Sequence, residues 1–301
     1  MTDGLVSGPV RPGVSAATRV VGVMGDPVAH SLSPLLHNTA FAVLGLDWVS
    51  VGFAVPDGQA APAVAGVRAL GIAGLSVTMP HKAAVAAAVD RLTPVAAALG
   101  AVNCLYRDGD DLVGDNTDGA GFLASVHRGA GFDPAGKRCL VVGAGGAARA
   151  VVLALADAGA AEVVVVNRTA NRAVAAAAVA GGRGRVGTVA DAADADLVVD
   201  ATPTGMAGTG TNVTEVAGGE PLVPADRLGP GQVVADLVYH PLVTPWLAAA
   251  GARGATSVGG LGMLVHQAAV QLERWTGRPA PVEAMWEAAT DEVGSAGVVS
   301  R

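Results

Sequence analysis

Short apolar runs recur along this chain at the spacing of a repeated strand–helix unit. RVVGVMG at 19–25 reads as a buried strand, 33–46 as a helix opened by Ser33 and Pro34, and 48–55 as a second strand. The unit then repeats, with an Ala/Val-rich helix over 59–70, a strand over 72–77 and a helix over 80–92 whose first turn carries Lys82. At 103–114 the period changes: NCLYRDGDDLVG alternates apolar and polar residues around an aspartate-glycine turn and predicts a hairpin. After a helix from 119 to about 128, CLVVGAGGAARA and EVVVVNRT begin a fresh strand–helix–strand unit near Arg138, and further strands are expected over 197–201 and 232–237. Residues 205–219, rich in Gly and Thr, read as a mobile surface loop that could cover a ligand. Past Gly259 the pattern is helical through Trp275 and again over 282–290, and these helices are expected to pack back on the first half.

Composition narrows the class. Of 301 residues 51% are hydrophobic and 15% charged, which excludes a disordered or coiled-coil chain and leaves room for two cores. A net charge of −7 with no basic stripe argues against nucleic acid as a partner. The two cysteines, Cys104 and Cys139, lie in apolar runs, read as buried small hydrophobes and suit a reducing cytoplasm. No charged leader precedes an apolar stretch, and no segment approaches the roughly 20 apolar residues of a membrane span, so no membrane is expected. Residues 1–18 read as a flexible tail, and NVT at Asn212 is discounted as a glycosylation signal in a cytosolic chain.

The GAGGAAR loop carries the clearest chemistry. Gly143, Gly145 and Ala148 fit GxGxx(G/A) between an apolar strand and an alanine-rich helix, where small residues let backbone amides approach a pyrophosphate at the helix end. The next strand ends in Asn167, where an NAD-binding protein would carry an acid for the ribose hydroxyls. Arg168, Thr169 and Arg172 instead offer two guanidinium groups and a hydroxyl, which suit a ribose phosphate and so NADP; the bland alternative is two solvated arginines at a helix start. The expected fold is α/β in two domains. An N-terminal α/β substrate domain with a mostly parallel sheet spans 19–118 and is completed by C-terminal helices within 260–301. A Rossmann-like NADP-binding domain occupies 119–259.

Elsewhere, Ser31 and Ser33 offer hydroxyls to a carboxylate or an alcohol, although Ser33 before a proline can equally be a helix cap. His30 and His37 flank that turn and read as structural, and no metal is expected. Lys82 stands at a strand-to-helix junction, where the helix dipole disfavours an ammonium, and Asp118 could hold it for proton transfer. A solvated lysine and a helix-capping aspartate remain the alternative from spacing alone.

Taken in order, HSLSPLLHN, SVTMPHK, AVNCL, GDNTDG, GAGGAAR, NRT, ATPTGM, DLVYHPLVTP and GGLGMLVHQA make the chain resemble the shikimate dehydrogenases from about Val20 to its end. That resemblance implies reversible NADP-dependent reduction of 3-dehydroshikimate to shikimate, on the route to chorismate and the aromatic amino acids, without a metal. It implies further that Ser31 and Ser33, helped by Tyr239, bind the substrate carboxylate, and that Thr78, Lys82, Asn103, Asp118 and Gln267 hold the ring hydroxyls. Lys82 would be the acid/base and Asp118 its partner. Gly143, Ala144, Gly145, Gly146 and Ala147 would meet the pyrophosphate, Asn167, Arg168, Thr169 and Arg172 the adenosine phosphate end, and Leu237 and Gly260 the nicotinamide end. The ligands would be small molecules, and a homodimer stays open. Ser76 departs from the asparagine many members carry before VT, while Ser33 favours shikimate over quinate. A quinate/shikimate or aminoshikimate dehydrogenase is the second reading, and a non-catalytic NADP-binding regulator the third.

Overall fold

The computed structural model describes residues 13–206 and 221–296. Most of the expected tail, nearly all of the expected 205–219 loop, Asn212 and the end of the chain beyond Ala296 lie outside the described residues.

In the first half, β1 (Arg19–Gly25), α1 (Ser33–Val43), β2 (Trp48–Ala54), α2 (Ala60–Ala69) and β3 (Gly74–Val77) build the repeated unit, with β1 parallel to both β2 and β3. Next come α3 (Lys82–Ala86), β4 (Arg91–Leu92), α4 (Pro94–Leu99) and the hairpin of β5 (Cys104–Asp108) and β6 (Asp111–Asp115). The sheet runs β2-β1-β3-β5-β6-β4, with β5 antiparallel to both neighbours. Gly109 in the hairpin turn has φ +63°, the left-handed backbone that its aspartate-glycine sequence supplies cheaply.

One expectation fails here. The helix read over 80–92 stops at Ala86, and Arg91 and Leu92 pair with Val113 and Gly114 as a short edge strand. The Asp90 carboxylate accepts from Leu112 N at 2.7 Å, and the Arg91 guanidinium bridges Asp108 and Asp111. Thr93 Oγ1 then accepts from Ala96 N and opens α4. These contacts to residues about twenty positions away outweigh the local helix preference of the alanines.

The second half comprises α5 (Asp118–Ala130), β7 (Arg138–Val142), α6 (Gly146–Asp157), β8 (Glu162–Val166), α7 (Ala170–Ala178), β9 (Gly184–Val186), β10 (Leu197–Asp200), β11 (Val233–Asp236), α8 (Pro245–Ala252) and β12 (Thr256–Val258). Its sheet, β12-β11-β10-β7-β8-β9, is wholly parallel. A parallel sheet is covered on both faces, which is why β8 reads VVVV without alternation and buries all four valines. Val151, Leu155 and Ala173 cover one face; Trp246, Leu247 and Ala250 cover the other.

Two last helices, α9 (Leu261–Thr276) and α10 (Val282–Ala296), return to the first sheet. Val265, Leu272 and Met285 join Leu36 and Phe41 of α1 in one core, while Val64, Val67 and Val85 pack on the opposite face with Leu75 and Val77. Helix α5 lies between the halves at two small residues. A side chain on Gly119 would come within 2.8 Å of Ala150 O on α6, and one on Gly121 within 2.7 Å of the Gln267 side chain on α9.

Candidate active site

Four strand ends of the first sheet share one edge: the carboxyl ends of β1, β3 and β6 and the amino end of the antiparallel β5. Backbone bonds knit that edge together, Thr78 N to Met24 O, Asp26 N to Met79 O, Val77 N to Asn103 O and Asn103 N to Asp115 O. Ser31, Thr78, Lys82, Asn103 and Asp118 all leave the sheet there. Val102 N donates to Lys82 O at 2.9 Å and ties the first residue of α3 to the start of β5.

Lys82 Nζ lies 2.6 Å from Asp118 Oδ2, with Asp118 buried and Lys82 partly so. Asn103 Nδ2 donates to Asp118 Oδ1 at 2.7 Å, so both carboxylate oxygens are held. Asp118 therefore spends its side chain on Lys82 and Asn103 and caps no helix. Thr117 N donates to Asn103 Oδ1 at 2.7 Å and fixes that amide in turn. Asn103 Nδ2 also reaches Thr117 Oγ1 at 3.0 Å and Gln267 Oε1 at 3.4 Å. Gln271 donates to Gln267 Oε1 at 2.8 Å and to Asn103 O at 3.1 Å. One face of α9 thus reaches into the site and onto β5 and β6, since Arg274 Nε donates to Asp115 Oδ2 and Trp275 Nε1 to Leu105 O. Thr117 lies within the GDNTDG string, which points to Asp118 and not to its neighbour, and none of the motif strings contains Gln271; only the helical period of α9, which turns 267, 271, 274 and 275 to one side, points toward the latter.

Around this network, Ser31 Oγ accepts from Ser33 N at 3.3 Å, with Ser31 partly exposed and Ser33 buried. The cap position of α1 is Leu32 and no side chain caps it, so Ser33 is the first helical residue and its hydroxyl is not a cap. Tyr239 packs among the core residues of the first sheet although its chain comes from the end of β11, and burial raises its hydroxyl above the usual range. His37 is buried against Trp275, its Nδ1 3.4 Å from Ser50 Oγ, and burial lowers it to about 3, so it is a neutral packing residue. His30 is exposed. Among the described residues no cluster of three or more His, Cys, Asp or Glu is placed to hold a metal, and both cysteines are buried and free.

In the second sheet the order reverses between β10 and β7, and such a switch point opens a crevice at the carboxyl ends of the strands. Gly143 enters it at φ +110°, where a Cβ would stand 3.1 Å from Ala201 O just past β10, so only glycine fits. Ala144, Gly145, Gly146 and Ala147 follow into the first turn of α6; the two glycines are exposed, and a Cβ on either would meet nothing within 4 Å. This leaves open backbone beside unpaired N–H groups, a cradle that fits a pyrophosphate. Past β8, Asn167 Nδ2 holds Thr169 O at 3.0 Å. Arg168 and Arg172 are exposed and form no ion pair among the described residues, which leaves two cations free for a ribose phosphate. Leu237 follows the last residue of β11, and Gly260 sits so close to Leu237 O that a side chain could not be added without moving the backbone.

Two buried acids, Asp200 and Asp236, stand side by side in register at the same edge. Asp236 accepts from Val238 N and from Thr244 Oγ1, and Asp200 from Thr202 N, so each ties down the loop that follows its strand. Burial pushes Asp236 up to about 6 against those hydrogen bonds, with Asp200 adding to the rise, and burial raises Asp200 as well. Asp236 opens the DLVYHPLVTP string and Asp200 immediately precedes ATPTGM, but neither string assigns its acid a role; a carboxylate closing each of the apolar runs LVVD and VVAD is the available signal.

Family models match along the chain: shikimate dehydrogenase substrate binding domain at 23–105, shikimate/quinate 5-dehydrogenase at 127–206, and shikimate 5'-dehydrogenase C-terminal domain at 260–290. A protein named shikimate dehydrogenase (NADP(+)) from Moorella thermoacetica is 46% identical over 292 residues, covering 94% of this chain and 96% of that one. A crystal structure of a shikimate dehydrogenase in complex with NADP+ superposes with a TM-score of 0.87 at 35% identity, covering 95% of this chain and 99% of that chain. The Thermus thermophilus shikimate 5-dehydrogenase in complex with NADP(H) and shikimate gives 0.82 at 38% identity, covering 91% and 99%.

Proposed function

The chain belongs to the shikimate dehydrogenase family, and we propose that its Lys82–Asp118 pair is the acid/base centre for the reversible NADP-dependent reduction of 3-dehydroshikimate to shikimate. It is an oxidoreductase acting on a CH–OH group, and its place is the shikimate pathway toward the aromatic amino acids. The observation that carries the site assignment is the 2.6 Å contact between Lys82 and a buried carboxylate whose second oxygen Asn103 holds.

NADPH, when bound, supplies the hydride that adds to the ring ketone carbon. The ammonium of Lys82 donates a proton to the ketone oxygen as that oxygen gains charge, and takes the proton back in the oxidation direction. Asp118 orients the ammonium and balances its charge. Ser31, Ser33 and Tyr239 would bind the carboxylate without adding a competing negative charge, while Thr78, Asn103 and Gln267 would border the ring. Gly143 to Ala147, Arg168, Thr169 and Arg172 would hold the dinucleotide, with Asn167 shaping that end and Leu237 and Gly260 bordering the nicotinamide.

In this reading the substrate half is 19–118 with α9 and α10, the dinucleotide half is 119–259, and the ligands are small molecules only. No described helix is long and apolar enough to cross a membrane. Two free, buried cysteines and the biosynthetic role support a cytoplasmic setting. The test is NADPH absorbance with 3-dehydroshikimate, and in reverse with shikimate, quinate and aminoshikimate. Turnover of shikimate with NADP is expected to exceed the others; preference for quinate with NAD would overturn the assignment.

A further inference from the structure

Gln271 is wholly buried on α9, one turn beyond Gln267, and its orientation is dictated by a group that cannot turn. Its Nε2 lies 3.1 Å from the backbone carbonyl of Asn103, which can only accept, so the amino group and not the oxygen of Gln271 must face that way. The second hydrogen of the same amino group points at Gln267, 2.8 Å away, and the atom it meets must be the oxygen. Asn103 Nδ2 approaches that oxygen as well. With Oε1 turned onto two donors, Gln267 presents Nε2 on its other side; one N–H goes to Leu264 O at 2.9 Å and the other has no partner among the described residues. A relay of forced orientations therefore runs from Asn103 O through Gln271 to Gln267.

We propose that Gln271 is a positioning residue that makes Gln267 a hydrogen-bond donor only, so the site selects a ligand with a lone pair, a ring hydroxyl or ketone oxygen, at that point and rejects a ring ammonium. The proposal rests on the reading of Gln267 as a substrate-binding residue. An ammonium facing the Gln267 N–H would set donor against donor, with no acceptor free to turn toward it. Among the alternatives open from the sequence, the relay thus favours shikimate over its amino analogue.

Removing Gln271 strands no acceptor: Asn103 O still receives Val77 N at 2.8 Å, and Gln267 Oε1 still receives Asn103 Nδ2. The Oε1 atom of Gln271 itself has no partner among the described residues, so an apolar replacement loses little there. Gln271→Leu and Gln271→Met are therefore expected to fold, as NADPH binding by fluorescence would verify. The expected result on shikimate is a KM raised about five- to tenfold, the worth of one net hydrogen bond, with kcat within about twofold. The kcat/KM preference for shikimate over aminoshikimate should fall by a similar factor, because only Leu264 O and the 3.4 Å contact from Asn103 Nδ2 then hold the Gln267 amide in place. Unchanged KM and unchanged preference in variants that bind NADPH would overturn the proposal, and so would a wild-type protein that prefers aminoshikimate. A wild-type protein that turns over neither compound would instead remove the functional reading beneath it.

Discussion

Lys82 Nζ and Asp118 Oδ2 stand 2.6 Å apart although 36 residues separate them in sequence. The edge shared by β3, β5 and β6 brings them together, and Asn103 locks the carboxylate so that Lys82 meets it in one geometry. Lys82→Ala should lower kcat by about 10²- to 10⁴-fold, the usual worth of general acid/base catalysis, with a much smaller change in shikimate KM. Steady-state assays with NADP measure both, and near-normal turnover would take Lys82 out of the mechanism.

Cofactor choice is expected to reside in Arg168 and Arg172, which have no ion-pair partner among the described residues. Arg168→Ala should raise the KM for NADPH by about tenfold or more, because a hydrogen bond to a charged group contributes roughly 1.5–3 kcal/mol. The KM for NADH should stay within about twofold. Equal losses with both cofactors would show that the guanidinium does not read the ribose phosphate.

Much of this site was legible because its residues lie in short loops after apolar strands, where each string carries its own local signal. GAGGAAR shows strand, turn and helix within a few residues, and the hairpin at 104–115 announces itself by alternation and Asp-Gly. The helix read over 80–92 misled because alanine-rich sequence is helical by local preference, whereas β4 exists only through pairing with β6. Gln271 was illegible for a related reason: its partners Asn103 and Gln267 make it functional, and Asn103 lies 168 residues away. A buried polar residue on a helix face signals some partner without saying which.

Gly143 and Gly145 separate fold from binding within one loop. Gly143→Ala places a side chain in the left-handed region against Ala201 O and should cost about 1–3 kcal/mol of stability, seen as a lower melting midpoint. Gly145, the cap residue of α6 at φ −78° with open space around it, should accept alanine at a cost of less than about 1 kcal/mol but with a weaker NADPH complex. Calorimetry and a fluorescence titration on the two variants check this contrast.

Asp236 gives stability a pH dependence of predictable sign. Its carboxyl rises from 3.8 to about 6 on folding, so the folded protein holds its proton more tightly than the unfolded chain. The contribution is full at pH values below the unfolded value and is lost as pH climbs through about 6. By linkage the loss amounts to about 3 kcal/mol at most. Urea unfolding of wild type and Asp236→Asn at pH 4.5 and 7 should show the wild type losing ground to the variant as pH rises; parallel curves would refute it.

The grip of α9 on β5 and β6 bears on how the molecule is made. Gln267, Gln271 and Trp275 bond to residues 164–170 positions earlier, so the first sheet leaves the ribosome long before the helix that seals one of its faces. Until that helix emerges, the nascent first half exposes an open apolar flank, and the second sheet, whose strands β7 to β12 all precede α9 in the chain, can form ahead of it.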